Sequence, residues 1–185
     1  NLKNNNKTDP TSLMVDDKLV NDPKKIAIEY NNYFSTVANN LRKKIFNRNQ
    51  DFKSYLQNRN ENSFFINPTT QEEIIDIIYN LDGMKGTGPH SIPTHIFKEI
   101  KLIVSESLSD IINLSFNTGT YIENLKISKV IPIFKGKGSN LECCNYRPIS
   151  LLSNVDKIVE KLMHKRLYSF LSKYNIIYDL QFGFR

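Results

Sequence analysis

The sequence predicts an α+β fold, mostly helical with one small antiparallel hairpin, and three observations carry that expectation. Apolar residues recur at helical spacing in separate stretches between residues 21 and 173. Two short apolar runs, 127–134 and 146–152, are joined by the polar, glycine-containing KGKGSNLECCN. The chain of 185 residues is 39% apolar, enough to bury one core of ordinary size and not clearly two.

Residues 1–20 are rich in Asn, Lys, Asp and Ser with isolated apolar positions, which predicts a polar tail or linker. From Asn21 the pattern changes. NDPKKIAIEYNNYFSTVANNLRKKI offers Asp22 as N-cap, Pro23 as the first helical residue and an apolar stripe at 26, 30, 33, 34, 37, 41 and 45. The polar stretch 47–62 ends this helix, making 21–69 a helical connector. In FFINPTTQEEIIDIIYNL, Thr70 and Glu73 have capping-box spacing ahead of Ile74, Ile75, Ile77, Ile78 and Leu81, so a second helix starts there. Its glycines and prolines make DGMKGTGPHSIP a loop. THIFKEIKLIVSESLSDIINLSFNTG is one helix or two, closed by Gly119. ISKVIPIF reads as a strand, KGKGSNLECCN as a flexible connection and YRPISLL as the returning strand. In SNVDKIVEKLMHKRLYSFLSKY, Ser153 or Asn154 caps a last helix with apolar residues at 158, 159, 162, 163, 167, 170 and 171.

Composition narrows the function classes. No apolar run approaches the roughly 18 residues of a membrane span, and NLKNNNKTDP lacks the apolar stretch of a signal peptide. Cys143 and Cys144 are adjacent, poor geometry for bridging each other and unlike the spaced pairs of a zinc site, so free thiols in an intracellular protein are expected. His90, His95 and His164 have no metal-site companions. GKGKGS lacks the frame of a phosphate loop, and GMKGTG follows a helix where a dinucleotide fingerprint needs a strand.

The net charge of +6 is concentrated in the C-terminal third. Residues 126–147 carry +4, from Lys126, Lys129, Lys135, Lys137 and Arg147 against Glu142, and residues 156–173 carry +3. A nucleic acid or nucleotide is expected at that end; the alternative is a solvated helix face and a soluble hairpin tip. Pro148 biases Arg147 to extended backbone, so its guanidinium projects from a strand. Lys129, Ile131, Ile133 and Lys135 share a face of the other strand by its period of two, and Pro132 marks an edge. A lysine and an arginine on two strands of one hairpin suit a polyphosphate, the arginine as a bidentate fork and the lysine as a compact charge. Tyr146 either stacks on a base or packs beneath the hairpin.

Taken in order, KVIPIFKGKGSNLECCNYRPISLLSNVDKIVEKLMHKRLYSFL and the later QFGFR resemble the opening segments of the reverse transcriptases of non-long-terminal-repeat (LINE-type) retrotransposons of the Jockey and RTE kind. The resemblance covers residues 70–185, and NDPKKIAIEYNNYFSTVANNL resembles the segment joining endonuclease to polymerase in such elements. It implies a partial right-hand polymerase, with the fingers and the start of the palm, as the N-terminal part of a reverse transcriptase domain. Lys135 and Arg147 then fall where the fingers hold the triphosphate of the incoming nucleotide. Lys129, Lys137, Tyr146, Gln181, Gly183 and Arg185 fall near template and primer. Implied partners are an RNA template, a DNA primer, the palm and thumb in cis and an endonuclease upstream, with no membrane. Implied cofactors of the complete enzyme are Mg²⁺ and deoxynucleotides. In GPHSIP, His90 and Ser91 stand where the family shows Asp followed by Gly or Asn, a departure that bears on the integrity of the copy and not on the fold.

Nucleotidyl transfer in the family runs through metal ions on palm carboxylates, which lie beyond QFGFR in the family's order. This segment is therefore expected to hold no metal itself and to catalyse nothing alone. Asp16 and Asp17 precede the fingers and read as an exposed turn, not a metal site. The alternative from another class is a non-catalytic RNA-binding relic or domesticated fragment using the basic hairpin and the helix over 156–173. A group II intron maturase or a telomerase is a further polymerase reading, which IPIFKGKG and YRPISLL disfavour.

Overall fold

The computed structural model describes residues 10–45, 61–83, 86, 88, 89, 92–178 and 180–183. It is a mixture of helices and small antiparallel sheets, an α+β arrangement. The chain forms two compact units: Asn1–Asp51 with Val130–Ser150, and Phe52–Lys129 with Leu151–Arg185.

In the first unit, strands β1 (Leu13–Val15) and β2 (Lys18–Val20) pair antiparallel, Leu13 opposite Val20. Residues 13–20, expected as part of a tail, thus form a hairpin, and Leu13 is fully buried. Its turn is Asp16 and Asp17, both exposed and both left-handed at φ 47° and 59°, a conformation aspartate tolerates better than most residues. Helix α1 (Pro23–Lys44) starts as the sequence indicates, with Pro23 in its first turn and the Asp22 carboxylate accepting from Lys24 N–H at 2.9 Å. Ile26 and Tyr30 on α1 pack with Leu13 and Tyr146 in a small core. The Tyr30 hydroxyl is buried there with no hydrogen-bond partner among the described residues.

Strands β3 (Lys129–Phe134) and β4 (Tyr146–Leu151) pair as the expected two-stranded ribbon. Lys135 N–H donates to the Asn145 carbonyl at 2.8 Å. Carried down two strands of equal length, that bond sets Ile133 opposite Arg147 and Pro132 opposite Pro148, with both prolines at positions whose N–H would point away from the partner strand. The ladder therefore loses nothing to either proline, and each edge is blunted against further pairing.

The second unit is helical: α2 (Gln71–Tyr79), α3 (Thr94–Glu99), α4 (Lys101–Thr118) and α5 (Asn154–Lys173). Its core joins Ile74, Ile78 and Leu81 to Phe97, Ile112, Ile158, Val159 and Leu162. The stretch 94–118 is two helices, broken at Ile100, and Gly119 ends the second at φ 66°. Ser153 caps α5 in a reciprocal box with Asp156. The fully buried Asp156 also accepts from the Tyr121 hydroxyl at 2.8 Å.

Candidate nucleic-acid interface

The β3–β4 ribbon carries the basic residues singled out above. Its connection is not the flexible loop that composition predicts. Gly136 and Gly138 take φ 75° and 77°, left-handed values that favour glycine, and a Cβ on Gly138 would lie 2.6 Å from the Asn145 side chain. That Asn145 amide donates to Ser139 O at 2.9 Å and to the Glu142 carboxylate at 3.0 Å. The Tyr146 hydroxyl donates to Asn140 O at 2.7 Å. The lysines of KGKGS thus ride on a connection tied from within.

Lys135 lies one residue past β3, and its ammonium donates to Cys144 O at 2.6 Å. An ammonium has three donors, so two remain on a group the carbonyl holds in place. Arg147 is exposed on β4 and makes no hydrogen bond or ion pair with any described residue. From the 135–145 bond, Lys135 and Arg147 are diagonal neighbours across the ribbon, a spacing long side chains span. Lys137 is exposed in the connection and Lys129 is exposed at the ribbon's other end. Tyr146 takes the packed alternative: it is 7% exposed, ringed by Tyr30 and Phe134 at centroid distances of 5.1 and 5.4 Å, and no face is left for a base. Cys143 and Cys144 are free thiols, and burial pushes Cys143 up to about 11, aided by nearby Glu29.

Gln181 and Gly183 are exposed beyond α5, joined by a bond from the Gln181 amide to Gly183 O at 2.8 Å. Arg185, and the departures His90 and Ser91, lie outside the described residues. Gly86, Gly88 and Ile92 of that loop are pinned to the start of α5. Gly88 N–H donates to Leu152 O at 2.9 Å, and a Cβ at Gly88 would lie 2.6 Å from the Leu152 carbonyl carbon, so only glycine fits. The Lys157 ammonium donates to Gly86 O at 3.1 Å and the Asn154 amide to Ile92 O at 2.8 Å.

The second basic run, on α5, is largely committed to the fold. Arg166, only 9% exposed, donates to Asn67 O, Pro68 O, Leu162 O and both oxygens of Glu73, which uses all five guanidinium donors. Lys165 donates to Glu73 at 2.8 Å, and the Thr69 hydroxyl to Glu73 at 2.9 Å. Burial pushes the Glu73 carboxyl up, but the bonds from Arg166, Lys165 and Thr69 outweigh it and bring it down to about 2. Glu73 therefore does not close the expected box: Thr70 accepts from Glu73 N–H, while the Glu73 carboxylate turns to α5. Nothing local in the sequence marks this bond, because its partners lie 92 and 93 residues away. Among the described residues, no three His, Cys, Asp or Glu converge on a metal-sized site.

A lysine and an arginine placed diagonally on a tied ribbon, in a basic chain, offer positive charge of the kind that phosphate groups can meet. This chain is similar in sequence to RNA-directed DNA polymerases of mobile elements, in line with its resemblance to the reverse transcriptases of non-long-terminal-repeat elements. Among them are the probable RNA-directed DNA polymerase from transposon BS of Drosophila melanogaster, 30% identical over 120 residues, and the polymerase from mobile element jockey of the same fly, 27% identical over 133. The jockey polymerase of Drosophila funebris is 28% identical over 122 residues. These alignments cover 65%, 72% and 64% of this chain but only 13%, 14% and 13% of the relatives. No family model matches.

Proposed function

We propose that residues 70–185 are the fingers-bearing, N-terminal part of the RNA-directed DNA polymerase domain of a LINE-type mobile element, with 21–69 as its connector to what precedes. In this reading the β3–β4 ribbon grips the triphosphate of the incoming deoxynucleotide: Arg147 offers two parallel N–H donors to phosphate oxygens, and Lys135 adds its two remaining donors. RNA template and DNA primer are contacted by Lys129, Lys137, Gln181, Gly183 and Arg185. Chemistry requires the carboxylates and Mg²⁺ of a palm, which would be supplied in cis. The observation that carries the reading is an arginine without a partner among the described residues, beside a lysine whose ammonium is already anchored.

The test uses this chain. It is titrated with a deoxynucleoside triphosphate by nuclear magnetic resonance, and separately with single-stranded RNA. The triphosphate is expected to shift the amides of the 134–148 ribbon, and Arg147→Ala to weaken it about tenfold or more, the worth of charge-assisted hydrogen bonds, while RNA affinity falls by less than about threefold. No ribbon shift, or equal losses for both ligands, overturns the clamp.

A further inference from the structure

The helical unit contains a cleft of about 530 Å³ between residues 63–67 and the C-terminal half of α5. It is built by the Arg166 node: the guanidinium holds the Asn67 and Pro68 carbonyls and so lays the segment 63–68 along the helix. Phe64 anchors that segment on Phe170 at a centroid distance of 5.4 Å, and Phe170 in turn packs on Tyr174 at 5.0 Å. The next ring, Phe65, is left 78% exposed at the cleft wall. Lys173 stands over Tyr174 at 5.1 Å. Lys165, with 69% of its side chain exposed, gives one donor to Glu73 and keeps two. With Lys165, Arg166 and Lys173 against Glu73, the lining carries a net +2.

One exposed ring, Phe65, beside the partly buried Phe64, Phe170 and Tyr174 and flanked by surplus cations distinguishes this cleft from a general apolar groove. The neighbouring clefts around Tyr168 and Tyr178 have rings but no lysine or arginine. Rings take the faces of unpaired bases whatever their identity, and flanking ammonium groups take the phosphates on either side. Duplex bases are stacked on one another and offer no face to Phe65. We propose that this cleft binds single-stranded nucleic acid, one base covering Phe65 and the adjoining phosphates meeting Lys165 and Lys173, as a contact separate from the β3–β4 ribbon. The site rests on the polymerase reading only for why such a strand would be present.

The experiment measures binding of a fluorescein-labelled oligouridylate of about eight nucleotides, a length within the usual site sizes, to the whole chain by anisotropy over a series of KCl concentrations. Phe65→Ala is expected to weaken binding about tenfold with the salt slope unchanged. Lys173→Ala is expected to reduce the slope by about 0.7, the value of one single-strand phosphate contact. Both side chains are exposed, so both variants keep the core. Arg147→Ala should leave this base-dependent component intact. Wild-type affinity in both cleft variants overturns the cleft and leaves the ribbon clamp standing. Competition by inorganic tripolyphosphate as strong as by the oligonucleotide, or by an RNA duplex at equal strength, also overturns it, because the site would then read charge without bases. Absence of oligonucleotide binding in the wild type overturns it directly.

Discussion

Replacing Glu73 by glutamine tests how much of the helical unit rests on one carboxylate. The group is held at about 2 against an ordinary 4.5, and with its side chain only 19% exposed solvent screening removes little of the effect. A shift of that size corresponds to about 3 kcal/mol of folded-state preference for the ionised form. Removing one member of a partly buried pair gives a similar magnitude, about 3 kcal/mol or more, and glutamine recovers part of it by keeping one carbonyl for Arg166. Glu73→Gln is therefore expected to destabilise the chain by about 2–3 kcal/mol at pH 7. The sign of the pH dependence follows from the lowered folded value. Between 4.5 and about 2 the unfolded chain takes up the proton while the folded chain resists it, so the contribution is complete above 4.5 and is lost as pH falls towards 2. Urea unfolding followed by far-ultraviolet circular dichroism, on both proteins at pH 7 and in steps down to pH 2, reads the difference directly. The gap should close as the acid limit is approached. A gap below about 1 kcal/mol at pH 7, less than a third of what the shift implies, or one that stays constant across the series, would refute the assignment of Glu73 as the electrostatic centre of this unit.

Two further substitutions probe packing. Gly88→Ala places a Cβ 2.6 Å from the Leu152 carbonyl carbon and 2.7 Å from Leu151 O and Ser153 N; because backbone cannot give way as a side chain does, a cost of about 2 kcal/mol or more is expected. Thermal melting checks it, and an unchanged melting temperature would mean that the loop does not dock on the start of α5. Tyr30→Phe deletes a buried hydroxyl that has no partner among the described residues and should be neutral or stabilising by up to about 1 kcal/mol; a clear loss of stability in urea would reveal a partner for that group.

Where a structural decision is local, the residues announce it. Asp22 and Pro23 start α1, Ser153 with Asp156 starts α5, and Gly119 stops α4, each through bonds or dihedrals that involve near neighbours. The break at Ile100 has no glycine or proline to mark it, and Ile100 packs against the shared core of that unit, so tertiary contacts set the boundary. The β1–β2 hairpin was hidden because three-residue strands give too little alternation, although the Asp16–Asp17 pair between LMV and KLV was a turn signal. The KGKGSNLECCN connection reads as mobile from composition, yet Asn145 and Tyr146 each reach back six residues and tie it, an arrangement no window of propensities contains. At the candidate site, the extended backbone at Arg147 was legible from Pro148. The carbonyl holding Lys135 and the aromatic packing around Tyr146 were not, since both depend on how the ribbon and α1 close.

Charge shows the same division with a functional consequence. Summed along the sequence, the ribbon and α5 look like two comparable basic surfaces. The fold separates them by what each cation already holds. To give a phosphate even two of its donors, Arg166 would have to release Glu73 or the carbonyls of Asn67, Pro68 and Leu162, and each group left unpaired costs about 1–3 kcal/mol. Lys157 would likewise release Gly86 O and loosen the loop it fastens. Arg147 pays no such cost, because none of the described residues occupies its guanidinium. A surface cation therefore recruits a phosphate most readily where the fold has left it idle, which favours the clamp proposed at Arg147 on β4 and, on α5, the contacts proposed for Lys165 and Lys173, whose ammonium groups stand in the cleft beside the exposed Phe65 ring.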